Sequence, residues 1–473
     1  MILRNGRFLG GTLKGVRESR AGTPTPIDSR TPFSIPVSDV SVPGPEGLVV
    51  DLEGRWVIPG LWDHHVHFGQ WAMAARRLDL SGATSAAQAA SLVRDAVAVS
   101  PPEPGTVFLA SGFRDGLWPD EPSADLLEFG DIPAALLSGD VHTLWTNRAA
   151  LRMLGRPDED WWLREQPAFD LTRRISTVPA EVLDRWALDA ARKAAARGVT
   201  GIVDFEMEDG PGSWARRFAA GFSGLRVRAA VYPHTPDLPD VASPLYEVGP
   251  YKLFTDGSLN TRSAWCYDVY PGTGDAGLPS YEAGGLLAAA REGVSRGLTP
   301  AIHAIGDRAV TEALDVFEQL GVPGSIEHVQ LIRDADLPRF AALGIGASVQ
   351  PEHAMDDRDV AEHYWAGRTG RAFAYRALLD AGAELSLGSD APVAPLDPWI
   401  TMAAAVTRTR DGRAPWHPEQ AISALDALAA SSRDIAGDLV IVDADPTTPD
   451  NLREMPVHAT MLGGGWIHGP YGG

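Results

Sequence analysis

The chain has 473 residues, 44% of them hydrophobic, enough for one large domain with a smaller companion or for two to three ordinary domains. Its net charge of −21 and pI of about 4.9 argue against sequence-independent nucleic-acid binding and against docking to an anionic membrane, both of which need basic surface. A single cysteine, Cys266, excludes an intrachain disulfide. With no signal-like apolar stretch and no 18-residue apolar run, the expectation is a soluble cytoplasmic protein acting on a small molecule, with a homo-oligomer left open.

In chain order, residues 1–58 hold two candidate strand regions, "MILRNGRFL" and "GLVVDLEGRWVI". Residues 22–47 between them are rich in Pro, Ser, Gly and Thr and read as loop. The next strand, "WVIPGLWDHHVH", carries three histidines in four positions. Strand alternation puts His65 and His67 on one face and His64 on the other. A histidine pair at a strand's end suits two metal ligands; the alternative is a loop that happens to be rich in histidine. Residues 69–178 then form a stretch too long for a strand-to-helix loop, and read as a lid or substrate-recognition insertion.

Beyond it, short β-branched runs alternate with Ala-rich amphipathic stretches. The runs are "TGIVDFE" (200–206), "LRVRAAVY" (225–232), "YKLFTDG" (251–257), "LTPAIHAIG" (298–306), "GSIEHVQL" (324–331), "IGASVQPEH" (345–353) and "ELSLGSD" (384–390). With the first strand they make eight, separated by helices, which predicts an α/β fold of the (β/α)8 TIM barrel type. No glycine-rich phosphate loop follows any strand.

Chemistry in such a barrel sits where strands end. There lie His65 and His67, Lys252, His303, His328 and Asp390, from five strands. Each has a plain reading: a hydrogen-bonded core histidine, a helix-capping aspartate, a strand-to-helix join. Those readings would have to hold independently at five strands. Imidazoles and a carboxylate together suit a divalent metal, zinc above all, as one or two ions. Gln350 and His353 on the seventh strand are placed near the pocket mouth as substrate contacts. Lys252 is one of only three lysines among 41 basic residues, the others being Lys14 and Lys193. Burial lowers an amine's pKa, and a neutral amine can combine with carbon dioxide to a carbamate able to bridge two metal ions. The plainer alternative pairs Lys252 with Asp256 on the same face.

The segments "PGLWDHHVHF", "YKLFTDGSLNTRSA", "HAIGDRA", "EHVQLIRDADLPRFAALGIGASVQPEH" and "LGSDAPVAPLDP" resemble those of the amidohydrolase superfamily, and within it the amidohydrolase 3 family. The likeness extends to "SGDVHTLWTNRAAL" and "GDLVIVDADP" and covers most of the chain. The resemblance implies a small β-domain built from both chain ends, residues 1–58 plus 435–473, beside a barrel over 59–434. It implies a one- or two-metal hydrolytic site on His65, His67, Lys252, His303, His328 and Asp390, and offers His142, Asn147 and Glu165 as substrate contacts.

The ligand set leads to a mechanism. His65, His67 and Asp390 would hold one ion, His303 and His328 the other, with the Lys252 carbamate between them. A metal-bound hydroxide would attack an amide or formamide-type carbonyl, with Asp390 as the catalytic general base and then acid. An ester or lactone hydrolase on the same site is the nearest alternative. A non-catalytic barrel acting as an interaction module is the third.

Overall fold

The computed structural model describes residues 1–9, 17–18, 35–113, 115, 118–138, 143–164, 166–175, 178–207, 209–235 and 238–471. It divides into two compact units, Met1–Phe68 with Ala191–Gly473, and Gly69–Ala190.

The first unit contains the barrel. Its eight parallel strands are Leu61–Val66, Val199–Asp204, Arg226–Val231, Tyr246–Phe254, Pro300–Ala304, Ser325–His328, Gly346–Val349 and Glu384–Leu387, hydrogen-bonded in that order. The eighth strand returns to the first through two backbone bonds just past their ends. Asp390 N–H donates to the His65 carbonyl at 2.7 Å, and His67 N–H donates to the Ala391 carbonyl at 2.8 Å. Parallel strands covered on both faces carry nearly continuous apolar residues, and Ile202, Leu253, Ile302, Ile326, Val349 and Leu387 are all buried.

The helices follow from periodicity. In Asp307–Leu320, Val310, Ala313, Leu314 and Phe317 recur at three- and four-residue spacing, and all are buried in the main core. Gly321, at φ 62°, ends that helix in the left-handed conformation that glycine adopts at least cost. The strand–helix alternation breaks once. Between Val231 and Tyr246 no helix is found among the described residues, so the third and fourth barrel strands are joined by irregular chain.

The same unit holds a second sheet made from both ends of the sequence. Its order is Arg17–Glu18, Ile35–Ser41, Ile2–Phe8, Trp56–Pro59, Leu439–Val442, Val457–Leu462 and Gly465–His468, with Val49–Asp51 also beside Ile2–Phe8. Residues 35–41 thus correct the loop reading of 22–47. They pair antiparallel with Ile2–Phe8, from Ile2 opposite Ser41 to Phe8 opposite Ile35. The Pro- and Ser-rich composition hid the short stretch Ile-Pro-Val-Ser-Asp-Val, which does not alternate strictly. The rest of that segment, through residue 34, lies outside the described residues. Trp56–Pro59 runs through Gly60 straight into the first barrel strand, so small sheet and barrel share one continuous chain.

The second unit, Gly69–Ala190, has its own five-stranded sheet, in the order Trp162–Arg164, Thr143–Thr146, Ala134–Ser138, Phe108–Phe113 and Leu78–Asp79. The helix Ala86–Val99 packs on it through Ala86, Ala89, Ala90, Val93 and Val97, and the Ser85 side chain caps the Gln88 N–H.

The barrel seam predicts a stability effect. A Cβ at Gly388 would come within 2.6 Å of the His65 nitrogen and 2.8 Å of its Cβ, which real packing does not permit. Gly388→Ala should destabilise the protein by about 1–3 kcal/mol, the usual cost of overpacking. It should also weaken metal retention, because the displaced residue is His65. Thermal unfolding combined with metal analysis checks both, and an unchanged midpoint would contradict the seam geometry.

Candidate metal centre

The first two barrel strands slip register twice: an extra residue in the second strand at Thr200 is offset by an extra one in the first, where Ile202 sits opposite Asp63 but Asp204 sits opposite Val66. Such a bulge turns two consecutive side chains toward one side. His64 and His65 therefore both face cavities enclosed by the barrel strands, His64 at the N-terminal ends of the strands and His65 at the C-terminal ends. The alternation that sets His64 on the opposite face from His65 is corrected by this single inserted residue.

At the C-terminal ends, a cavity of about 270 Å³ is lined by His65, His67, Lys252, His303, His328, His353 and Asp390, among others. One ligand atom each from His65, His328 and Asp390 fall within 4.8 Å of one another. Asp390 Oδ1 lies 3.3 Å from His67 Nε2 and 3.7 Å from His65 Nε2, while its Oδ2 lies 3.7 Å from His353 Nε2. The rings form a chain: His67 to His65 at 5.9 Å, His65 to His328 at 4.9 Å, His328 to His303 at 4.5 Å. His303 leans to the far side, its Nε2 3.2 Å from the Gly257 carbonyl and 3.4 Å from Asp256 Oδ1.

His328 and Asp390 reach this cluster from left-handed backbone, at φ 77° and 58°. Non-glycine residues occupy that region at a cost of order 1–3 kcal/mol, and such strain concentrates at functional sites. The hydrogen bond from Asp390 N–H to His65 holds one of them in place.

The electrostatics favour cation binding. Burial drives the pKa of His65 and His328 well below the ordinary imidazole value and that of His303 down to about 4, so all three rings are neutral and offer lone pairs. For His67, burial is outweighed by the hydrogen bond and charge of Asp390, and the net shift is upward. Burial also works against ionisation of Asp390, but the facing imidazoles, His65 first, hold its carboxyl well below the usual range. Lys252 Nζ lies 4.4 Å from the centre of the Phe205 ring and 5.2 Å from that of Phe254, and burial brings its pKa down to about 8. His67 Nδ1, His328 Nδ1, His353 Nε2 and Lys252 Nζ are all buried without a hydrogen-bond partner. Several unsatisfied polar atoms around one cavity are costly unless something fills it, and a divalent ion fits this donor set. The Lys252–Asp256 pair expected as the alternative is not formed. Asp256 instead accepts from the backbone N–H groups of Trp265, Ile305 and Gly306.

The candidate substrate contacts fare differently. His142 and Glu165 lie outside the described residues. Asn147 caps the helix Arg148–Leu154. Its amide oxygen accepts from Ala134 and Ala150, and its NH2 donates to the Leu127 and Ile132 carbonyls, leaving no free polar atom. Gln350 and His353 are not on the seventh strand, which ends at Val349. Pro351 has no N–H to continue the ladder and starts the helix Pro351–Tyr364. His353 in its first turn lines the cavity; Gln350 does not.

A sequence model of the Amidohydrolase family matches residues 48–451. The chain belongs to the amidohydrolase family. Protein LONG AFTER FAR-RED 3 of Arabidopsis thaliana is 30% identical over 437 residues, spanning 81% of this chain and 74% of that protein. N-substituted formamide deformylase of Arthrobacter pascens is 24% identical over 495 residues, spanning 89% and 90%. An uncharacterized metal-dependent hydrolase from Pyrococcus horikoshii superposes with a TM-score of 0.75 at 25% identity, over 94% of this chain and 98% of that one. Family and structural likeness together mark the chain as a hydrolase, and the His/Asp cluster is its candidate seat for a divalent metal.

Sequence reading missed the residues that orient this amidohydrolase's histidines. Glu327, adjacent to His328, accepts from His65 Nδ1 at 2.7 Å, which leaves His65 Nε2 free to face the cavity. Burial raises the Glu327 carboxyl, while the Lys252 charge and the hydroxyls of Ser325 and Ser348 oppose the rise. Asp63 accepts from the His65 and Ser389 N–H groups and so fixes the first strand to the eighth. The one available signal was a carboxylate set in an apolar strand, "SIEH", next to a histidine.

Glu327→Gln keeps the size of the side chain but can present an amide NH2 to His65 Nδ1, which favours the wrong tautomer. The expected result is a loss of metal affinity of about 10–100-fold with the fold retained. Competition with a chelator, alongside circular dichroism, checks this; affinity equal to the parent's would show that Glu327 does not orient His65.

Proposed function

We propose that the protein is a metal-dependent hydrolase of C–N bonds in small amides, including formamide-type ones. The observation that carries this reading is the convergence of neutral imidazoles, one ionised aspartate and an unpartnered buried lysine on one cavity. Likeness to N-substituted formamide deformylase over 89% of the chain supports the choice of bond.

His65, His67 and Asp390 would hold one divalent ion, zinc by ligand chemistry, with His328 close enough to share it. His303 and His328 are the residues available to a second ion, and Lys252, as its carbamate, is the candidate bridge. Bound there, a divalent ion supplies a water of lowered pKa and a Lewis acid for the acyl oxygen. The residues of the chain do the rest. Glu327 keeps the His65 tautomer fixed. Asp390 turns Oδ1 toward the His65 and His67 nitrogens and Oδ2 toward His353. Oδ2 is therefore the atom placed to accept the proton of the attacking water and to return it to the leaving nitrogen. His353 Nε2, buried and unpartnered, faces that oxygen and can steady its charge during the transfer.

Purified protein should carry one to two equivalents of zinc or a similar ion and should cleave members of a panel of N-formyl, N-acyl and cyclic amides. Elemental analysis showing no such metal, with no activation on adding it, would sink the proposal. Turnover of lactones or esters alone would move it to the C–O bond.

Lys252→Arg tests the bridge. An ordinary structural cation would tolerate the change. A guanidinium cannot form a carbamate and stays charged, so the variant should fold yet lose bound metal, and activity should fall by at least about 100-fold. Near-normal metal content and turnover in that variant would reduce the site to one ion on His65, His67 and Asp390.

A further inference from the structure

The cavity extends beyond the ligand cluster to a second set of polar groups. Asp357 lies one helical turn after His353 on the helix Pro351–Tyr364, so both side chains project from the same face. Half-buried in the cavity wall, it receives one neutral donor, Asn260 Nδ2 at 3.0 Å; the His353 imidazole acts on its charge, but no arginine or lysine does. Its neighbour Asp356 is different, being paired with Arg410 at 2.7 Å. Gln330 is 4% exposed and lines the same cavity, and its Oε1 is buried without a partner. The buried His353 Nε2 faces Asp390 Oδ2 instead, at 3.7 Å. Lys252 apart, no lysine or arginine lines the cavity among the described residues. The apolar side chains of Leu259, Met207 and Val393 line the same cavity, the last two 52% and 64% exposed.

A carboxylate with no arginine or lysine partner and an amide oxygen with no donor, both lining one cavity, call for a ligand rich in N–H donors and positively charged. An anionic arm would meet the Asp357 charge, with Lys252 the one lysine or arginine lining the cavity among the described residues. The net charge of −21 acts in the same direction at long range by steering cations inward.

We propose that Asp357 and Gln330 form a subsite for a protonated amine on the substrate, so that the preferred substrates are amides bearing an ammonium group on a short apolar spacer. This assignment rests on the hydrolase reading for the reaction, but the subsite itself is a binding site and can be tested without turnover. Asp357 is a specificity-determining residue here and takes no part in bond cleavage.

Titration calorimetry on the metal-loaded full chain, with hexylammonium and its neutral counterpart hexanol, tests the subsite directly. Hexylammonium should bind roughly tenfold tighter, with the advantage shrinking at high salt, as expected for a part-buried charge pair. Asp357→Asn keeps an oxygen for Asn260 and should erase the advantage; Asp357→Glu should restore part of it. Equal binding of the two probes by the parent protein, or an advantage that survives in Asp357→Asn, overturns the proposal. A matched series of ammonium-bearing, neutral and carboxylate-bearing amides then separates the two readings. Amides cleaved with no preference for the ammonium member would sink the subsite and leave the hydrolase standing. An ammonium preference in binding, with no amide cleaved, would sink the C–N reading and leave the subsite standing.

Discussion

The site depends on the closure of the barrel between its first and last strands. Asp63 and Ser389 are 326 residues apart in sequence, yet the Asp63 carboxylate accepts the Ser389 N–H at 3.0 Å. The two backbone bonds that follow, through His65, His67, Asp390 and Ala391, set the first histidines against the last aspartate. No local propensity could bring those groups together. Only a parallel sheet that curves until its edges meet does so, and such a sheet has no free edge at which these polar groups would be left exposed. Burial raises the Asp63 pKa to about 6, so the clasp uses a carboxylate whose charge is only partly tolerated and whose hydrogen bonds compensate for its burial.

A second constraint is desolvation. The barrel interior strips water from the His64, His65, His303 and His328 imidazoles, the Lys252 amine and several carboxyls at once, and burial pushes each toward its neutral form. Neutral rings suit metal ligation, whereas in water at the same pH their protons would compete with a cation. Asp390 resists the trend because imidazoles surround it. The strained backbone at His328 and Asp390 belongs to the same design: two residues held in an unfavourable conformation by the closed sheet, each aimed where an ordinary strand residue would not point.

Much of this was legible in the sequence, for physical reasons that differ between elements. The eight barrel strands show because buried parallel strands are β-branched runs and the helices between them carry a 3.6-residue period. His65, His67, Lys252, His303, His328 and Asp390 show because chemistry at strand ends stands out against apolar runs, and the structure gathers all six around one cavity. What stayed hidden depends on single residues of offset. One bulged residue turned His64 inward, and one proline moved Gln350 and His353 off the seventh strand. Residues 35–41 pair as a strand despite a composition typical of loops, because partner strands rather than propensity decide short sheet edges. Asp357 was silent because an acidic side chain has no sequence signature separating a solvated face from a cavity wall, and Glu327 offered only its place beside His328 in an apolar strand.

The scarcity of lysine has a practical consequence. Lys193 stands exposed on the helix Ala180–Ala195, while Lys252 is sealed inside the barrel. Reagents that acylate amines will find very few targets on the native protein, and the interior amine will be shielded from all but the smallest of them. Dissolved carbon dioxide is small enough to pass where larger electrophiles cannot. If Lys252 takes up carbon dioxide as proposed, the carbamate carbonyl resonance from isotopically labelled bicarbonate would stand against an almost blank background. Its dependence on gas pressure would make the occupancy of one interior nitrogen a directly measurable equilibrium.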